Sequence, residues 1–371
     1  MPIEFIGMIA TRPGSESEVV PGPAIDREYL RAFARAHEDA GFDRVLVGYG
    51  SSTPDGTQVA AYAAAHTERL TYLVAHRPGF VAPTLAARTF ATLDQLTEGR
   101  VAVHVISGGS DHEQLRDGDA LPKDERYART DEYLEILKRV WTAEHPIAFA
   151  GTHYRFEDFA TDVRPFQQPR IPLYFGGSSE AAYRVGARHA DVFALWGEPL
   201  AETTQQIADV RAAAAAAGRD VPPRISVSFR PILGDTEELA WERAHRILEA
   251  AKANIPRAKA AGRRFGVAVE RPQNTGSRRL LAAAERGELH DRALWTPIAK
   301  AVGAYGNTTA LVGTPETVAQ ALLDYVDIGV TTLLIRGFDP YDDVIDYGRR
   351  LIPLVREEVR RRDAAAGLVT A

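Results

Sequence analysis

Eight short apolar runs, each followed by a stretch of helical period, pass along this chain from end to end. That alternation restricts the fold more than any other feature. The runs are Ile3–Ile9, Arg44–Val47, Leu70–Ala75, Val101–Ile106, Leu173–Phe175, Val192–Leu195, Ile225–Phe229 and Thr332–Ile335. Runs of this length with helices between them read as parallel strands, because a parallel neighbour needs a crossover, usually helical. Local signals agree: the helix over Asp26–Ala40 stops at Gly41, and Pro83 opens the helix after the third run. The pattern predicts a (β/α)8 TIM barrel in one domain, 1–371. A doubly wound open sheet would carry a glycine-rich fingerprint after its first strand, and Ala10-Thr11-Arg12-Pro13-Gly14 lacks that form. The stretch from Asn254 to Asn307, rich in Arg, Ala and Gly, breaks the rhythm and is expected to be an insertion after the seventh strand, too poor in apolar residues for a core of its own. Gly108–Lys123 is expected to be a loop, and Thr152–Phe156 a small hairpin strand.

Composition matters mainly for what it excludes. The chain contains no cysteine, so disulfides, thiolate zinc sites, iron–sulfur clusters and thiol nucleophiles are ruled out. Its net charge of -6, from 44 basic and 50 acidic side chains, gives no reason to expect nucleic acid as a partner. The start, Met1-Pro2-Ile3-Glu4-Phe5, lacks a basic segment followed by an apolar one. No apolar run approaches the roughly 18 residues that span a membrane. The expected location is the cytoplasm, with no membrane partner.

Barrel enzymes place their chemistry at the C-terminal strand ends. Here those ends carry Thr11 and Arg12; Tyr49 to Thr53; His76 and Arg77; His104 and Ser107-Gly108-Gly109; Gly176-Gly177-Ser178-Ser179; Trp196-Gly197-Glu198; Arg230; and Arg336-Gly337-Phe338. Such a rim suits anionic ligands. No metal is expected, since magnesium and calcium want several carboxylates and zinc wants clustered histidines. Gly176-Gly177-Ser178-Ser179 can be a phosphate cradle at a helix N-terminus or a plain turn with a serine cap. Ser107-Gly108-Gly109 can hold a ring edge or simply turn the chain, and Trp196 can be a ligand platform or rim packing. Arg12, Arg77, Arg230 and Arg336 can converge on an oxyanion or be paired separately, and His104 can be a donor or a core histidine.

Several strings resemble the bacterial luciferase-like flavin monooxygenases, and among them the two-component alkanesulfonate monooxygenases. They are Thr92-Leu-Asp-Gln-Leu-Thr-Glu-Gly-Arg100, Asp124-Glu-Arg-Tyr127, Tyr174-Phe-Gly-Gly-Ser-Ser179, Leu195-Trp-Gly-Glu-Pro199 and Thr309-Ala-Leu-Val-Gly-Thr-Pro315. The resemblance covers nearly the whole chain. It implies reduced FMN supplied by a separate NAD(P)H-dependent reductase, O2 as co-substrate, and oxidative cleavage of an organosulfonate C–S bond to a carbonyl product and sulfite. It also implies a homodimer or homotetramer. By the same resemblance Ser178, Ser179 and Tyr127 hold the flavin phosphate with Gly176 and Gly177. Ser107 and His104 lie near the ring, and Trp196 is in the active site.

The sequence also departs from the family pattern. Thr53 stands where a cysteine is common, Arg12 and Arg230 stand for histidines, and Phe338 replaces a tyrosine, with Arg336 beside it. Arg271, Arg278 and Arg279 are candidates for the arginine of the family's mobile insertion, which is expected to act as a lid over about 254–307. Arg230 and Arg336 are therefore expected in catalysis, with Arg12, Arg77, Thr53 and Phe338 on the substrate. The extra arginines suggest a small polar or dianionic sulfonate, with a sulfosugar included. Other luciferase-like jobs remain open, namely a dimethyl sulfone monooxygenase, a deazaflavin-dependent oxidoreductase or a flavin-binding protein without catalysis.

Overall fold

Each apolar run forms a strand. They are β1 (Glu4–Ile9), β2 (Arg44–Val47), β3 (Thr71–His76), β4 (Val101–Val105), β5 (Leu173–Gly176), β6 (Val192–Trp196), β7 (Arg224–Leu233) and β8 (Val330–Ile335). The computed structural model describes residues 3–260, 272–304, 306 and 309–367. The eight strands form a closed parallel barrel with helices between them, a (β/α)8 fold. Two compact units are distinguishable. One comprises 1–43, 194–208 and 224–371; the other comprises 44–193 and 209–223.

In the first unit Glu4 of β1 lies opposite Thr332 of β8, and Leu333 of β8 opposite Val227 of β7. β7 is longer than the apolar run suggests. Past Phe229 it leaves β8 and pairs Arg230–Leu233 with a further parallel strand, Ala310–Gly313. Arg230 and Pro231 interrupt the apolar pattern yet are buried, which is why the sequence places the strand end too early.

The described part of the insertion includes the helix Thr275–Arg286, the antiparallel pair Leu289–His290 and Leu294–Trp295, and the helix Pro297–Ala301. Trp295 and Ile298 are buried with Ile232, Ala240, Ala310 and Phe338. The Trp295 ring meets Trp241 edge-on at 5.9 Å. The segment needs no core of its own because it shares one with β7 and the helix Glu237–Ala260. Within the expected lid, residues 261–271 with Arg271, and residues 305 and 307, lie outside the described residues.

In the second unit β2 to β5 run side by side, with Leu46 opposite Leu73, Val74 opposite Val103 and His104 opposite Tyr174. The helices Pro83–Leu96 and Lys123–Thr142 pack together, and Trp141 Nε1 donates to the Ala87 carbonyl at 3.0 Å. The Thr92–Arg100 string has a structural job. Asp94 is fully buried and accepts from the Gln167 backbone at 2.9 Å and from its amide at 2.7 Å, so a buried carboxylate is satisfied. One expectation needs correction, and one needs only a shift of bounds. The Gly108–Lys123 loop contains a helix, Asp111–Arg116, too short for its period to show and capped by Ser110. Thr152–Phe156 is part of a two-stranded hairpin, Ile147–Ala150 with Arg155–Phe159.

Candidate functional site

The Gly-Gly-Ser-Ser turn joins β5 to the helix Glu180–His189. Ser179 caps that helix, its Oγ accepting from Ala182 N at 3.3 Å. The capped helix start is thus observed, and such a start also points backbone N–H groups at whatever lies before it, as a phosphate cradle would require. Gly177 is at φ 154°, and a Cβ there would sit 2.6 Å from Ala182 Cβ and 3.3 Å from the Tyr127 hydroxyl. Only glycine brings the backbone this close. Tyr127 is buried and its hydroxyl bonds Ser179. Burial pushes its phenol pKa up against that bond, so the group stays protonated. Gly176 and Ser178 are half-buried beside it. A phosphate would suit this corner of small residues, a helix start and a phenol.

The next strand end in this unit is braced from the helix Lys123–Thr142. The Ser107 carbonyl accepts from Arg126 Nε at 3.0 Å, and Ser107 Oγ bonds Thr130 Oγ1 at 3.1 Å. Arg126 also reaches Asp111 at 2.8 Å, clamping the loop after β4. Its signal lay in the Asp-Glu-Arg-Tyr string, where the tyrosine draws attention first. His104 Nδ1 is buried without a hydrogen-bond partner. Burial holds its pKa down at about 4, so the ring is neutral at pH 7. An orphaned buried nitrogen is compatible with a ring edge that would complete it.

Arg77 is paired. Its Nη2 meets Glu113 Oε1 at 2.9 Å, both side chains being buried, and its guanidinium stacks 4.7 Å from the Tyr49 centroid. The same carboxylate oxygen accepts from Ser51 N at 3.2 Å. Glu113 gives no sequence signal, because it sits on the short helix read as loop. Thr53 is exposed, and its hydroxyl closes a turn by donating to the Gly50 carbonyl at 2.9 Å. The hydroxyl at the place of the family's thiol is thus engaged within its own turn.

In the first unit the structure brings Arg230 and Arg336 together around a carboxylate that sequence reasoning missed. Glu16 Oε1 lies 2.9 Å from Arg230 Nη1 and 3.6 Å from Arg336 Nη2. Arg230 is only 1% exposed, donates to the Gly337 carbonyl at 2.8 Å and lies 3.5 Å over the Phe338 ring. Phe338 is itself fully buried in the core beneath, so it supports Arg230 from below; a direct substrate contact is not what its position offers. Arg336 reaches further out, with 22% of its side chain exposed. Burial, then the nearby Arg230 charge, lowers its pKa to about 10, and it stays charged at pH 7. Arg12 donates to the Gly22 carbonyl of its own loop at 3.4 Å.

Trp196 ends β6, half-buried. The first turn of the helix Thr275–Arg286 lies on it: a Cβ at Gly276 would be 2.9 Å from the indole. Glu198, the rim carboxylate seen in the sequence, is an anchor for that helix. Arg279 Nε is 2.9 Å from both of its oxygens. Burial raises the Glu198 pKa while Arg279 opposes the shift. Arg278, the other described candidate from the insertion, is exposed and reaches Thr275 at 3.2 Å. Among the described residues no group of three or more His, Asp or Glu is placed to hold a metal ion, and no helix is long and apolar enough to cross a membrane.

The eight-stranded parallel barrel defines a fold class, and the family comparison places the chain within it. The luciferase-like monooxygenase family model matches residues 3–332, and the chain belongs to that family of oxidoreductases. Its fold is shared with EDTA monooxygenase (EmoA) from Chelativorans sp. BNC1, at 18% identity over 96% of this chain and 94% of that one, with a TM-score of 0.75. DmoA from Hyphomicrobium sulfonivorans matches at 22% identity, 97% and 89% coverage and a TM-score of 0.75. The oxygenating constituent of 3,6-diketocamphane monooxygenase from Pseudomonas putida, solved in complex with FMN, matches at 18% identity, 95% and 98% coverage and a TM-score of 0.68.

Proposed function

We propose that this chain is an FMNH2-dependent monooxygenase that cleaves the C–S bond of an organosulfonate, giving a carbonyl product and sulfite. The observation that carries the proposal is the convergence of two guanidinium groups, Arg230 within β7 and Arg336 just past β8, in a barrel of this family. Guanidinium groups recognise planar faces of oxyanions through paired N–H donors, and a sulfonate offers such a face. Ser178, Ser179, Tyr127 and the backbone of Gly176 and Gly177 would hold the flavin phosphate. Ser107 and His104 would meet its ring.

When bound, the reduced flavin supplies the electrons that activate O2. The chain's own work is positional and electrostatic. Arg336 orients the sulfonate, Arg230 supports it from behind, and Trp196 forms a wall. The neutral His104 can offer one N–H without adding a charge. The insertion over about 254–307 serves to exclude water. A separate NAD(P)H:FMN reductase would supply the flavin, and a homodimer or homotetramer in the cytoplasm is the assembly we assign.

The test is sulfite release from short alkanesulfonates and sulfosugars, with a reductase, NADH, FMN and O2. Stoichiometric sulfite and carbonyl from at least one substrate is expected. Reductant consumption without sulfite across the panel would refute it. Turnover of dimethyl sulfone, or reduction of a deazaflavin, would move the chain to another luciferase-like activity.

A further inference from the structure

We propose that Arg77 is a cofactor-binding residue that donates through Nε and Nη1 to the carbonyl oxygens of the flavin ring, while Glu113 fixes the guanidinium and offsets its charge. This rests on the flavin reading above and extends it to the end of β3. Every residue involved lies in the second unit.

Unmet hydrogen-bonding capacity gathers at the ends of β3 and β4. Arg77 is 5% exposed. Its Nη2 is held by Glu113 Oε1 at 2.9 Å, but Nε and Nη1 are buried with no hydrogen-bond partner among the described residues. Gln114 is 1% exposed, and its Nε2 also lacks a partner there. It lies against Gly108, where a Cβ would overlap it. His104 Nδ1 is a further such group. Buried polar groups are nearly always satisfied, so unpartnered donors around two neighbouring strand ends call for a ligand that brings acceptors.

Register sets Arg77 with His104. Ala75 of β3 lies opposite His104 of β4, and Ile106 N donates to the His76 carbonyl at 3.0 Å, so the pairing holds to the strand ends. Side chains alternate along a strand, and Pro78 keeps the residue before it extended. Arg77, two positions after Ala75, therefore follows on the face that His104 shares. The ring is the part of the flavin that suits this place. The phosphate corner is at the end of β5, two strands from β3, or about 10 Å at the usual strand spacing. A ribityl chain covers such a separation. The carbonyl oxygens of the pyrimidine half are uncharged acceptors, and an arginine already matched by Glu113 suits them better than it suits a second oxyanion.

The test is fluorescence-quenching titration of FMN and riboflavin on the full chain, with spectroelectrochemistry of bound FMN. Arg77→Gln should weaken both flavins by the same factor, tenfold or more, since the ring is common to them. Reduced flavin carries negative charge on its pyrimidine half, so a protein charge placed there moves the potential. Arg77→Gln leaves Glu113 alone and should lower the potential of bound FMN. Glu113→Gln leaves Arg77 alone and should raise it. A packing role would move both variants the same way or neither, and either result would overturn the proposal. Should Glu113→Gln not fold, Arg77→Lys takes its place. It keeps the charge and loses the forked donors, so riboflavin should weaken while the potential stays at the wild-type value; a potential that falls as in Arg77→Gln refutes the charge role. Unchanged riboflavin affinity in Arg77→Gln would show that Arg77 does not meet the ring, and the flavin reading would stand without it. If the wild type binds neither flavin, that reading fails first and takes the inference with it.

Discussion

Gly177→Ala is the substitution that most directly separates a phosphate cradle from an ordinary turn. The added methyl would lie 2.6 Å from Ala182 Cβ and 3.3 Å from the Tyr127 hydroxyl. Carbon atoms pack at about 3.5–4.0 Å, so the overlap with Ala182 is on the order of 1 Å. Ala182 lies in the first turn of the helix Glu180–His189, so relief requires that turn or the glycine backbone to shift. Overpacking of this kind costs about 1–3 kcal/mol. The φ of 154° adds strain of similar order for a residue with a Cβ. Part of the cost appears as lower stability, and part as N–H groups and Tyr127 turned away from the phosphate. At about 1.4 kcal/mol per tenfold, FMN affinity should fall ten- to a hundredfold. Fluorescence-quenching titrations with FMN and with riboflavin, which lacks the phosphate, measure the effect, and a thermal melt reports the stability share. Riboflavin affinity should change less than threefold. Unchanged FMN affinity, or equal weakening of both flavins, would refute the cradle.

Three further outcomes are expected. Burial holds His37, His76 and His104 at about 4, below the ordinary histidine value of 6.5, so between those pH values the unfolded chain binds more protons and stability is lost as pH falls through the window. Each contributes about 2 kcal/mol of that loss at pH 5, and His104→Asn should remove its share in urea unfolding at pH 5 against pH 7; an unchanged difference contradicts the assignment. Gly276→Ala pushes the helix Thr275–Arg286 off the Trp196 indole and should cost about 1–3 kcal/mol, with a change in tryptophan emission; a melt and spectrum equal to wild type would show that this contact is slack. Glu113→Gln strands the buried Arg77 guanidinium and should lower stability by about 3 kcal/mol in denaturant unfolding, where a loss under 1 kcal/mol would mean that Arg77 finds another partner.

The barrel was legible because its strands are continuous apolar runs, the pattern of a sheet buried on both faces. Ser179 was legible too, since strand, small residues and helix follow one another within a few positions. What did not show were elements whose pattern is short or interrupted. β7 runs on through Arg230 and Pro231, and the strand Ala310–Gly313 is only four residues long. The segment around Trp295 looked too poor for a core because its partners, Ile232 and Ala240, belong to other elements.

The larger miss concerns charge. The residues directly after the strands gave four arginines and one carboxylate, which reads as a strongly cationic rim. A guanidinium taken out of water is costly unless an anion comes with it. Arg77 and Arg230, both nearly inaccessible, therefore require counterions whether or not the strand ends provide them. Loops provide them: Glu113 from the short helix after β4 and Glu16 from the loop after β1, each far in sequence from its partner. Glu198, the carboxylate the strand ends did show, is spent on Arg279. Burial is thus the variable that sorts these arginines. The most buried ones carry their own neutralisation, Arg77 on Glu113 and Arg230 on Glu16, while Arg336, 3.6 Å from that same Glu16, keeps 22% of its side chain in solvent.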